Sequence, residues 1–124
     1  MSESARTLFA TAIGEAEQTA LLLYSSGTPL AGSYIDQNGR DISSEIGAAL
    51  SGVSKEVSRS MRLLSLGAWT AVVIETEAAT IALAPTTQDA VVLLASSSTV
   101  PLGLVRRVLT RSIALAINWM SGRA

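Results

Sequence analysis

The side chains of this chain that could do chemistry are carboxylates, guanidinium groups, one amine and hydroxyls, because its 124 residues include neither histidine nor cysteine. The missing imidazole removes the commonest metal ligand and the one side chain that ordinarily titrates near neutral pH. Ser-His-Asp and Cys-His nucleophilic arrangements are excluded with it, as are thiolate metal sites and disulfides. Two charged groupings remain. Asp36, Asp41 and Glu45 surround one polar segment, and Lys55, Arg59 and Arg62 follow at spacings of four and three. The segment opening at Asp36 begins like a calcium loop. It then fails as one, because Arg40 stands at a ligand position, Asp41 replaces the required glycine and Gly47 replaces the bidentate acid. Asp41 and Glu45 suit the start of a helix better, as a cap and a first-turn acid. No glycine-rich phosphate loop with a trailing Lys-Ser/Thr occurs, and no Gly-x-Ser-x-Gly elbow.

The elements that must position these groups follow from apolar spacing. Ala5, Leu8, Phe9, Ala12, Ile13 and Ala16 mark an opening amphipathic helix, with Ser2 or Ser4 as its cap and Gly14 near its end. Thr19 to Ser25 is too short for a helix before Gly27 and reads as a buried strand. Ser26-Gly27-Thr28 turns the chain into a second strand, Pro29 to Tyr34. A long helix capped by Asp41 carries Ile42, Ile46, Ala49, Leu50, Val53, Val57 and Met61 on one face and breaks at Ser65 to Gly67. Three strands follow over Trp69 to Thr76, Ala79 to Ala84 and Ala90 to Ser96, and their short connections require an antiparallel meander. A last helix runs from beyond Pro101 to about Met120. Leu102, Val105, Val108, Leu109, Ile113 and Ala116 suit a sheet-facing stripe, and Leu104, Leu115, Ile117 and Trp119 widen it, an excess that the first helix packing alongside would absorb.

The order α-β-β-α-β-β-β-α predicts an α/β (α+β) fold: one five-stranded antiparallel sheet with helices packed on it, in a single domain over residues 1–124. Almost half of the residues are apolar but only 4% are aromatic, so the core must be aliphatic. A net charge of −1 argues against nucleic acid as a partner. The longest apolar segment, Val100 to Trp119, carries Arg106, Arg107 and Arg111, which argues against membrane insertion. Met1 to Arg6 lacks the apolar run of a secretory signal, so a cytoplasmic location is expected.

Three stretches carry a family resemblance. They are the Gly27-Thr28-Pro29-Leu30 turn after the first strand, the long helix starting near Asp41, and the succession Trp69-Thr70-Ala71-Val72-Val73-Ile74-Glu75, Thr80-Ile81-Ala82-Leu83-Ala84-Pro85, Ala90-Val91-Val92-Leu93-Leu94-Ala95. In that order they resemble the Roadblock (dynein light chain) family over nearly the whole chain, and within it the free-standing bacterial gliding-motility regulators. Ser26 stands where an acidic residue often precedes the hairpin glycine, and either type suits a turn. The resemblance implies a roadblock/profilin-like fold. It also implies a dimer in which third strands pair across the dyad and long helices lie side by side. The implied role is non-enzymatic, regulating or scaffolding a small Ras-like GTPase without a cofactor or metal.

The residues give these expectations physical content. Gly47 and Gly52 lie inside the long helix, where each costs about 1 kcal/mol relative to alanine. Close approach of another backbone would offset that cost, either a second helix or the chain's own sheet. With Ala48 and Ser51 they form the helical part of the expected dimer interface. Trp69, Ala71, Val73 and Glu75 form the strand part, on a strand with no proline and Glu75 as its only charge. Such a strand is either central in its own sheet or paired with another chain. Lys55, Arg59 and Arg62 form a basic ridge, either a solvated helix face or the docking surface for an acidic partner such as the GTPase. A small-molecule sensor and a structural light-chain-like subunit are the competing functions. The first needs a pocket with convergent polar groups, and the second an assembly ladder in place of nucleotide-dependent binding.

Overall fold

The computed structural model describes residues 2–13, 18–87 and 89–122. The expected opening helix is two short ones, α1 (Glu3–Arg6) and α2 (Ala10–Ile13). Ser2 caps α1, its Oγ accepting the Ala5 N–H at 3.2 Å. The expectations at Gly14 and Ala16 lie outside the described residues. Strands β1 (Gln18–Tyr24) and β2 (Pro29–Gly32) form the first hairpin, then come helix α3 (Ser43–Leu63) and strands β3 (Val72–Glu75), β4 (Ala79–Pro85) and β5 (Ala90–Ser97). Helix α4 (Leu102–Ser121) follows β5.

All strands join one antiparallel sheet in the order β2-β1-β5-β4-β3. The central place of β5 explains why every residue from Ala90 to Ser96 is buried: both faces of this strand are covered. The period of two along the strands sorts the aliphatic side chains into two layers. Ala20, Leu22, Ala82, Ala84, Val92 and Leu94 face Phe9 and the α4 residues Val105, Val108, Leu109 and Ala116. Leu21, Leu23, Leu83, Val91, Leu93 and Ala95 face the opposite way, under Ile46, Leu50 and Val53 of α3. The sheet is therefore covered by α1, α2 and α4 on one side and by α3 on the other. Of the four residues that widen the α4 stripe, Leu104 and Trp119 pack partly buried on the first layer, as do Leu8 and Ile13 of the opening segment.

Strand β2 ends at Gly32, two residues short of the expected Tyr34, and two further boundary differences bear on the candidate residues. Asp41 is not the cap residue itself: α3 opens at Ser43 and the cap position falls on Ile42, which makes no side-chain capping bond. Asp41 still acts from one residue further out. Its Oδ1 accepts the Ser43 N–H at 2.9 Å and also bonds the Ser43 hydroxyl. These bonds, the hydroxyl's first, hold the Asp41 carboxyl below its ordinary range. Asp36 is used by the backbone too, accepting from Asn38 and Arg40 N–H groups at 2.9 Å each. The strand expected from Trp69 begins only at Val72. Trp69 instead packs on the layer beneath α3, and its Nε1 donates to Ser58 Oγ at 2.8 Å. A large ring with one donor is satisfied there by apolar surface and an acceptor together.

The end of α3 is a Schellman closure: Leu66 N–H reaches Met61 O at 3.0 Å and Ser65 N–H reaches Arg62 O at 3.2 Å. Ser65 occupies the left-handed position with φ 55°, where glycine is the residue without steric cost. Ser65→Gly is expected to raise stability by about 1 kcal/mol, the order of the left-handed penalty less glycine's entropy. Urea denaturation midpoints of the two proteins check this.

Candidate interaction surfaces

The strand order makes β3 a sheet edge. It pairs with β4 alone among the described residues, with Val73 opposite Ala82 and Glu75 opposite Thr80. Of the two alternatives for this strand, the central one is therefore overturned. Thr76 N–H bonds Ala79 O at 2.8 Å, which makes that pair a hydrogen-bonded one. Alternation along an antiparallel ladder then turns the N–H and C=O of Glu75 and Val73 toward the open edge. Ile74 and Glu75 are exposed, and Ala71 is exposed just before the strand.

Helix α3 presents three faces. One packs Ile46, Leu50 and Val53, each half-buried, on the sheet. A second meets the turns at the sheet's end, and Gly47 belongs to it. A Cβ on Gly47 would stand 2.0 Å from the Gly27 carbonyl oxygen, and one on Gly27 would stand 2.5 Å from the Gly47 oxygen. The close backbone approach at Gly47 is thus made within the chain, by the first hairpin, and Gly47 is buried by it. The third face points outward and carries Glu45, Ala48, Ala49, Gly52, Glu56 and Arg59, all exposed. A Cβ on Gly52 would meet nothing within 4 Å, and Ser51 is half-buried at the boundary of the second and third faces.

The basic ridge is not uniform. Arg59 bonds Glu56 at 2.5 Å, and this bond holds the Glu56 carboxyl below its ordinary range. Lys55 and Arg62 have no ion pair among the described residues. Both line a cavity of about 550 Å³ between α3 and the hairpin turns, together with Ser25, Ser26, Trp69 and Asp89. Arg62, Ser58, Trp69 and Pro85 also line a neighbouring cavity of about 560 Å³ that extends past the end of α3. No sequence pattern marks these lining residues as a group, since they come from four separate segments.

The knuckle at the end of α3 is a different case, with Leu63, Leu64 and Leu66 at 70%, 62% and 67% exposed. A sequence signal for it exists, although the stripe reading passes over it: three leucines run together just past the last stripe position, Met61, where a helix ending should be polar. Among the described residues no three acidic side chains gather as a metal site would require, and no described helix is long and apolar enough to cross a membrane.

No family model matches the chain, and no curated protein does. Solved structures do. A Roadblock/LC7 domain from Streptomyces avermitilis superposes with a TM-score of 0.79 at 13% identity, covering 94% of this chain and 97% of that one. MglB of Myxococcus xanthus gives 0.79 at 12% identity over 97% of each chain. The gliding protein MglB of Thermus thermophilus gives 0.78 at 19% identity over 94% of this chain and 87% of its own. The fold of this chain is the Roadblock/LC7 fold, similar over nearly its full length to that of bacterial MglB.

Proposed function

We propose that this chain is a non-enzymatic, dimeric regulator or scaffold of a small Ras-like GTPase, working in the cytoplasm without a cofactor. The observation that carries the dimer is the open edge of β3, whose backbone groups at Val73 and Glu75 face away from β4 and have no strand partner among the described residues. An open apolar edge is a template for a second strand, and a copy of the same strand satisfies it symmetrically. The outward face of α3 supports this reading, because Ala48, Ser51 and Gly52 leave room for a neighbouring helix to come close. Gly47 and Trp69 answer to contacts inside the chain, so the proposed interface rests on Ala48, Ser51, Gly52, Ala71, Val73 and Glu75.

The partner class comes from the likeness to MglB and from the family resemblance, and Lys55 and Arg62, without an ion pair among the described residues, supply a surface that could hold it. Such a regulator works by contact. It shifts the GTPase between switch states only by the difference in its affinity for the two. The test is retention of a Ras-sized GTPase from native lysate on the tagged chain, run with GDP and with a non-hydrolysable GTP analogue. Retention in one nucleotide state only is expected. A ladder of self-assembly with no nucleotide-dependent partner would overturn the GTPase part and favour a structural subunit.

A further inference from the structure

The two cavities beside α3 share Ser58, Arg62, Trp69 and Pro85, and so continue into one another as a groove. One wall is the C-terminal half of α3. The other is made by Ser25 and Ser26 after β1 and by Pro85, Asp89 and Ala90 at the facing ends of β4 and β5. Lys55 and Arg62 stand on the first wall with no acidic partner among the described residues, while the opposing carboxylate, Asp89, is engaged by the Ser25 hydroxyl. Trp69 and Pro85 give the groove an apolar floor where its two parts meet. The Ser58 hydroxyl there accepts from the Trp69 indole and keeps its own proton to donate.

We infer that this groove binds an acidic peptide segment of a protein partner, with carboxylates on Lys55 and Arg62 and an apolar side chain between them on Trp69 and Pro85. Lys55 and Arg62 are seven residues apart, about 10 Å along the helix axis. An extended segment rises about 3.3 Å per residue, so acidic residues two or three positions apart reach both cations. The groove is open along one side, which suits a peptide better than a small ligand that must be enclosed. Exposed ion pairs contribute little singly, so the apolar contact is needed as well. This deepens the reading of α3 as partner-facing, and it divides the basic ridge: Lys55 and Arg62 serve the groove, whereas Arg59 is neutralised by Glu56 and points away.

The test is selection of a random heptapeptide phage library on the full chain, with the double variant Lys55→Glu/Arg62→Glu as the comparison. The selected peptides are expected to carry two Asp or Glu residues flanking an aliphatic or aromatic one. Synthetic copies should bind the double variant at least about tenfold more weakly and Arg59→Glu within about twofold of the unaltered chain. The double variant should itself select Lys- and Arg-rich peptides, an inversion that a loss of folding cannot produce. Peptides without acidic residues, or equal binding to both proteins, would overturn the inference. Acidic peptides selected by a chain that retains no GTPase would leave the groove standing and defeat the GTPase reading. A GTPase retained equally by the double variant, with no acidic selection, would do the reverse.

Discussion

Gly47→Ala is expected to destabilise the fold by about 2 kcal/mol, although alanine is the better helix former. Helix propensity alone would favour the change by about 1 kcal/mol. Against it stands a Cβ placed 2.0 Å from the Gly27 carbonyl oxygen and 3.2 Å from Leu23 Cδ2. The nearer obstacle is backbone, so no rotamer change relieves it. The turn carrying Gly27 is also fixed, by Tyr24 N–H to Thr28 O at 2.9 Å and Gly27 N–H to Tyr24 O at 2.8 Å. Gly27 itself has φ +98°, a conformation that a side chain would strain. Either α3 or the hairpin must therefore move, and both are seated on the buried layer of Leu21, Leu23 and Leu93. Gly52→Ala is the matched control. Its Cβ meets nothing within 4 Å, so the same substitution on the same helix is expected to raise the stability of the dilute chain by up to about 1 kcal/mol. Urea denaturation of both variants reads the two signs, and a stabilised Gly47→Ala protein would refute the helix–hairpin contact.

Glu75→Pro is expected to weaken self-association at least about tenfold while leaving the fold intact. Glu75 lies on the edge strand, and the ladder alternation turns its N–H away from β4. A proline there removes no bond within the chain's own sheet, and edge strands tolerate proline for that reason. Across a dyad, the same change removes a donor from the inter-chain ladder and places a ring where the partner strand must approach. Sedimentation velocity over a dilution series reads the shift from dimer to monomer, and circular dichroism checks that the sheet is retained. An unchanged association constant would place the dimer contact elsewhere and exclude β3 from it. A proline at Ile74 would differ, since its N–H faces Ile81 of β4 and its loss would be felt within the chain.

These two substitutions also show how far the sequence carries. Period-two burial and period-3.6 stripes place all five strands and both long helices within a few residues, because each element buries its own face and writes that face into the local pattern. The splitting of the opening helix is not legible, since its apolar spacing suits one helix or two short ones equally. Trp69 reads as a strand residue because it is β-favouring, yet the indole finds a better position under α3 with Ser58 as its acceptor.

The element types, the aliphatic character of the core and the absence of imidazole and thiol chemistry are all written in residue types and their spacing. Composition and spacing are local properties, and these conclusions depend on nothing more distant. Long-range packing places β5 between β1 and β4, which sends β3 to the edge and leaves its backbone open. It alone separated Gly47 from Gly52, two interior glycines of one helix, by bringing a carbonyl oxygen from 20 residues earlier against the first and nothing against the second. It alone split a uniform basic ridge into a neutralised Arg59 and two cations lining a groove. Each of these depends on which segments meet across long stretches of chain, and that pairing is settled by the burial of whole layers rather than by any residue's neighbours in sequence.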